Sequence, residues 1–242
     1  MDQITLICTA VFAAAVLRGL TGFGFALAAV PALSLFLDPA QAVTIAILLQ
    51  CMVGLRDLAL MRKLVQFRAL GLMGAGALIG TPLGIWGLTL LPADVMRLVL
   101  AGIVGIGLAA LILKTRLPPG PGPAIGAGFA SGLFSGLAAM PGPPAIAYFL
   151  GTETPAKQTR ASLMVFFFLT SLIAMPGLWL TGRLHAETFT QALIAFPALL
   201  IGTWAGGRAF EKLGEGGYRT AATALLGVTA AVTATRGLAG LL

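Results

Sequence analysis

Charge is scarce in this chain. Asp, Glu, Lys and Arg together make up 10% of it, against about 25% in a typical soluble domain. With 58% hydrophobic residues over 242 positions, it carries more apolar surface than one water-soluble core can hide. Lipid tails are as apolar as the side chains they touch, so a bilayer removes that requirement. Carboxylates are scarcer still. Asp2, Asp38, Asp57, Asp94, Glu153, Glu187, Glu211 and Glu215 all fall at the ends of apolar runs or between them, which leaves no paired acids for catalysis inside a membrane. The single histidine, His185, excludes a bis-histidine haem and any His-dependent catalytic pair there. Cys8 and Cys51 lie in apolar runs with no metal-ligand neighbour, so neither a disulfide framework nor a zinc site is readable. No phosphate-binding P-loop is present, which argues against ATP drive within the chain. Metals and cofactors are therefore not expected, and neither is enzymatic activity. Met1-Asp2-Gln3 lacks a basic leader region, so the first apolar run is expected to be retained.

What is abundant is apolar helix. A hydrocarbon core of ~30 Å needs roughly 20 apolar helical residues. The stretches 70–91, 161–182 and 188–207 meet that length without a charge. Shorter stretches at 39–55, 98–113 and 220–235 reach it if flanking Arg56, Arg97, Lys114, Arg219 and Arg236 snorkel to the surface. Trp86, Trp179 and Trp204 near span ends read as interface anchors. The 32 glycines are not loop markers in this setting. Gly76, Gly80 and Gly84 recur every four residues, as do Gly128, Gly132 and Gly136, a spacing that lets helix backbones approach closely.

Two segments do not read as simple helices. The run 4–37 is too long for one span and is broken at Arg18-Gly19-Leu20-Thr21-Gly22-Phe23-Gly24. The run 124–150 is broken at Gly136-Leu137-Ala138-Ala139-Met140-Pro141-Gly142-Pro143-Pro144. Non-helical backbone at membrane depth survives only where protein or water satisfies it. A Pro-rich linker, 114–123, separates a first repeat, 1–113, from a second, 124–242. Gly19, Leu20, Pro31, Ala32, Phe36 and Leu37 recur as Gly132, Leu133, Pro144, Ala145, Phe149 and Leu150 at one constant offset. Ile79-Gly80-Thr81, Gly84 and Arg97 recur at another as Ile201-Gly202-Thr203, Gly206 and Arg219. The fold expected is an all-α membrane bundle of two homologous halves, each a broken segment followed by three helices.

Loop charge distinguishes two topologies, because Lys and Arg prefer the cytoplasm. If each broken segment crosses the membrane, giving eight crossings, the basic residues divide almost evenly between the two sides. If each is a re-entrant hairpin, Arg56, Arg62, Lys63, Arg68, Lys114, Arg116, Lys157, Arg160, Arg208, Lys212 and Arg219 share one side, and only Arg97, Arg183 and Arg236 the other. The second arrangement is favoured. It makes the halves inverted repeats with both termini outside. The net charge of +7 is thereby topological, and no nucleic-acid partner is expected.

The motif Gly19-Leu20-Thr21-Gly22-Phe23-Gly24-Phe25, with its counterpart Ser131-Gly132-Leu133-Phe134-Ser135-Gly136 and the following Gly142-Pro143-Pro144-Ala145, resembles the sulfite exporter TauE/SafE family. The resemblance covers essentially the whole chain. It implies export of small oxyanions such as sulfite, sulfoacetate or related organosulfonates across the inner membrane. This chain departs from the family's Gly-Gly-rich second motif with Ala138-Ala139.

The residues themselves agree with an anion. A broken helix exposes N–H groups at the positive end of a half-helix, and transporters place such ends near the midplane. Phe23 and Pro144 are expected to begin the two half-helices. Arg18 follows an uncharged run and sits on the first break, and its planar fork can grip two oxygens at once. The expected substrate site is Arg18, Thr21, Gly22, Phe23 and Gly24 from one half, with Ser131, Ser135, Gly136, Gly142 and Pro143 from the other. Arg160 reads as a surface anchor, Gln50 as polar glue between helices, and Asp57 as a solvated partner of Arg56. A secondary transporter is the leading expectation, with a passive anion channel or a non-catalytic assembly subunit as the alternative. The partners expected are a small anion and membrane lipid, and a homodimer is admitted.

Overall fold

The computed structural model describes residues 2–22, 24–113, 116–152 and 155–209. Among them every regular element is helical. In chain order these are α1 (Gln3–Thr21), α2 (Phe25–Leu33), α3 (Pro39–Met61), α4 (Phe67–Leu90), α5 (Ala93–Ile112), α6 (Pro121–Ala138), α7 (Gly142–Gly151), α8 (Ala156–Leu180) and α9 (Ala186–Ala209). A short 3-10 turn, Arg62–Leu64, follows α3. Six of these helices, α1, α3, α4, α5, α8 and α9, are long and apolar enough to cross a membrane. The expected span 220–235, the loop around Lys212 and the residues Phe23, Lys114, Arg219 and Arg236 lie outside the described residues.

Both expected breaks occur, and local backbone chemistry makes them. α1 ends at Gly22, whose φ of 78° is left-handed and whose N–H closes onto the Arg18 carbonyl at 2.8 Å. Gly24, at φ 89°, then opens α2. The second break is built differently. Ala139 takes the left-handed conformation at φ 58°, and the N–H groups of Ala139 and Met140 close onto the carbonyls of Ser135 and Phe134. Left-handed backbone strains a residue with a Cβ, by roughly 1–2 kcal/mol. The half-helices begin at Phe25 and Gly142 rather than at Phe23 and Pro144. α6 reaches back into the linker, because Pro121 and Pro123 suit a first helical turn.

The glycine rows are seams. Methyl groups added at Gly76, Gly80 and Gly84 would collide with the carbonyls of Ile125, Phe129 and Leu133. From the other side, Gly128, Gly132 and Gly136 lie against Met73, Ala77 and Thr81. Residue numbers rise together across this seam, so α4 and α6 run parallel. A second seam repeats the pattern: Gly202 lies against Phe12 and Ala15, and Gly206 against Val16 and Gly19, so α1 and α9 also run parallel. Each seam joins one helix from each half of the chain. Without water to drive association, such close backbone packing is what holds helices together.

Hydrogen bonds fix the directions of the remaining helices. Arg18 and Asp57 pair near the C-terminal ends of α1 and α3. The Gln66 N–H donates to Ser162 Oγ at 3.0 Å, which joins the starts of α4 and α8. At the opposite end, Gln41 Nε2 donates to Gln191 Oε1 at 2.9 Å, which joins the starts of α3 and α9. Arg97 Nε donates to the Ser34 carbonyl there, at 3.4 Å. α1 and α6 consequently run in opposite directions, as do α3 and α8, and α4 and α9. α2 packs back against α1, and α7 against α6. Trp86, Trp179 and Trp204 lie on the outer surface of the bundle, exposed at 64%, 71% and 61%.

Candidate functional site

The two breaks meet. One cavity is lined by Gly24, Phe25, Ala26 and Leu27 from the first, and by Ala139, Met140, Pro141 and Gly142 from the second. Arg18 reaches it from α1, Gln50, Val53, Gly54 and Asp57 from α3, and Met164, Phe167 and Phe168 from α8. Its free volume is about 20 Å³, room for about one water molecule.

Arg18 is its charged element, 6% exposed, with Nη2 donating to Asp57 Oδ2. Asp57 is 2% exposed. This corrects the reading of Asp57 as a solvated partner of Arg56, and of α3 as stopping at residue 55. Arg18 neutralises the carboxylate across 39 positions of sequence, and the helix continues through it to Met61. The other guanidinium nitrogen, Nη1, is buried and makes no hydrogen bond with a described residue. Pairing therefore occupies only part of the fork, and donor capacity remains beside the cavity. Gln50 behaves as glue between helices, its Nε2 donating to the Ala139 carbonyl at 3.2 Å. That bond satisfies a carbonyl at the end of α6 and holds the second break to α3.

Two half-helix N-termini also point at the cavity. In α2, the first intrahelical bond is Ala28 N–H to the Gly24 carbonyl, so Phe25, Ala26 and Leu27 carry N–H groups without intrahelical acceptors. In α7 the supply is smaller, because Pro143 and Pro144 have no N–H and Gly142 is left as the donor. One guanidinium and two positive helix ends thus converge on a space with Asp57 as its carboxylate.

Of the expected site residues, the structure brings Arg18, Gly24 and Gly142 to this cavity. Thr21 and Gly22 lie behind it. Thr21 Oγ1 donates to the Leu17 carbonyl at 2.9 Å, and Gly22 is covered by the aliphatic stem of Arg160. Arg160 is more than a surface anchor, since its Nη2 donates to the Gly19 carbonyl at 2.9 Å and so caps α1. Ser131, Ser135 and Gly136 do not line the cavity. Gly136 faces Thr81 and Ile85 in the α4–α6 seam, and both serine hydroxyls are buried on α6. Pro143 packs on α5 beside Gly107. Phe23 lies outside the described residues. The groups that sequence reasoning missed are Asp57 and the apolar wall of Met164, Phe167 and Phe168. Asp57 carried one usable signal, a carboxylate with apolar residues both before Arg56 and onward to Met61. Among the described residues no group of His, Cys, Asp and Glu could hold a metal ion.

The family model described as "Sulfite exporter TauE/SafE" matches residues 7–233. A relative from Cupriavidus necator, described as "Probable sulfite/organosulfonate exporter TauE", is 29% identical over 151 residues. That match covers 60% of this chain and 59% of the relative, so the chain spans rather more than half the length of the curated relative it resembles. No solved structure matches the chain significantly.

Proposed function

Because the chain belongs to the sulfite exporter TauE/SafE family, a family of multi-pass membrane transporters, we propose that it is a secondary transporter exporting small sulfur or organic oxyanions, of the sulfite, sulfoacetate or organosulfonate class, across the inner membrane. The observation that carries this reading is the convergence of Arg18 and the two half-helix N-termini on one cavity between the breaks. Such an oxyanion suits a planar fork and free backbone N–H groups together. In the cavity Asp57 stands where an anion would sit. Substrate would displace the carboxylate from Arg18.

The carrier reading, rather than a passive anion channel, follows the family's description as an exporter. Counterflow in proteoliposomes tests the choice. A carrier shows faster uptake of labelled sulfite when unlabelled sulfite is trapped inside. Equal rates with and without trapped sulfite would mean a channel.

The opposed directions of α1 and α6, α3 and α8, and α4 and α9 support inverted repeats. So does the pairing of the seams, where α1 meets α9 as α6 meets α4. Arg56, Arg62, Lys63, Arg68, Arg116, Lys157, Arg160 and Arg208 sit toward one end of the bundle, and Arg97 and Arg183 toward the other. The first end is then cytoplasmic. In a protein with Cys8 and Cys51 replaced, a single cysteine at Lys63 should be blocked only by a permeant thiol reagent. One at Arg183 should be blocked from the periplasm. Periplasmic labelling at Lys63 would overturn this orientation.

A further inference from the structure

A second cavity shares only Phe168 with the first. It is a groove of about 570 Å³ between α4 and α8, with Phe67, Gly71, Ala75 and Leu78 on one wall and Leu169 and Leu172 on the other. Its lining is wholly apolar and opens sideways. Leu78 is 61% exposed, and nothing lies within 4 Å of where a Cβ at Gly71 would stand. At the Phe67 end of the groove the character changes. Arg62, Lys63 and Arg68 are all exposed there, and none is in an ion pair with a described residue. Lys157, at the start of α8, is exposed at the same end of the bundle.

An apolar channel at membrane depth, ending in a cluster of cations at the surface, has the polarity of an anionic phospholipid. We propose that this groove binds one such lipid, with an acyl chain between α4 and α8 and the phosphate among Arg62, Lys63 and Arg68. Basic pockets between transmembrane helices on the cytoplasmic side recognise anionic headgroups in this manner. A second copy of the chain fits less well. A symmetric contact through the groove would bring two such cation clusters together across the axis, where like charges repel.

The test is native mass spectrometry of the purified full-length protein with phosphatidylglycerol or phosphatidylcholine of equal chain length. Phosphatidylglycerol should bind preferentially, and the Arg62→Gln/Lys63→Gln/Arg68→Gln variant should weaken that binding roughly tenfold or more. Gly71→Leu keeps every charge, fills the open space, and should lose the lipid as well. If that variant fails to fold, Ala75→Leu makes the same test at another exposed groove position. Four results would overturn the proposal. They are equal affinity for the two lipids, unchanged binding in the groove-filling variants, full competition by soluble glycerol 3-phosphate, and a dimer that Gly71→Leu dissociates. The third would indicate headgroup adsorption alone, and the fourth self-association through the groove.

Discussion

Asp57→Asn should lower the unfolding stability of the purified protein by about 3–5 kcal/mol, because it leaves Arg18 buried and charged without its partner. The cost comes from desolvation. A guanidinium 6% exposed cannot recover a full hydration shell where it sits. Arg18→Gln combined with Asp57→Asn should regain most of the loss, since a neutral pair can remain buried where one lone charge cannot. The single variant also exposes the link to function. With the carboxylate neutralised, an oxyanion becomes the available counter-ion for Arg18. Sulfite should therefore raise the melting temperature of Asp57→Asn more than that of the parent. Saturation at a hundred times the Kd corresponds to about 2.7 kcal/mol. Thermal unfolding in detergent, with and without sulfite, reads both effects. A single variant as stable as the parent would mean that Arg18 finds another counter-charge, and the site would need redrawing.

Gly80→Ala should destabilise the bundle by about 1–3 kcal/mol, and Gly80→Leu by more. A Cβ at Gly80 meets the Phe129 carbonyl, and neither backbone can move without separating α4 from α6. Gly126→Ala gives the internal comparison. It lies on α6 with nothing within 4 Å of the added methyl, so it should be neutral or slightly stabilising, as alanine suits a helix better than glycine. If both substitutions had equal effects on thermal unfolding, close packing along the α4–α6 seam would not be a contact that holds the halves together.

These two sites also mark how far the sequence could be read. The seams were legible because glycine every four residues has one strong use in a membrane helix. The breaks were legible because glycine and proline leave the helical ladder for known reasons. Even Ala139 sits at the point where the second break was expected, although it is not the residue that a left-handed turn prefers. Asp57 was not legible as a buried group. Its neighbour Arg56 offered an easy explanation, while its actual partner lies on another helix. Ser131 and Ser135 were expected at the site for a related reason. A hydroxyl near a break suggests a ligand, but the rotational phase of α6 is set by the fit of Gly128, Gly132 and Gly136 against α4. That phase keeps the serines out of the cavity. The first half-helix began two residues later than expected, because Gly24 in a left-handed conformation delays the first turn.

The central claim is that Arg18 holds the exported anion. Arg18→Lys tests it most directly, because lysine keeps the charge facing Asp57 but loses the bidentate fork. The measurement is counterflow of labelled sulfite in proteoliposomes containing parent or variant, with melting temperature taken on the same preparations. An unchanged melting temperature with exchange reduced about tenfold or more is the expected result, since one bidentate charge-assisted contact is lost. A lysine variant that exchanges sulfite at the parental rate would contradict the account, and Arg18 would then serve only to neutralise Asp57.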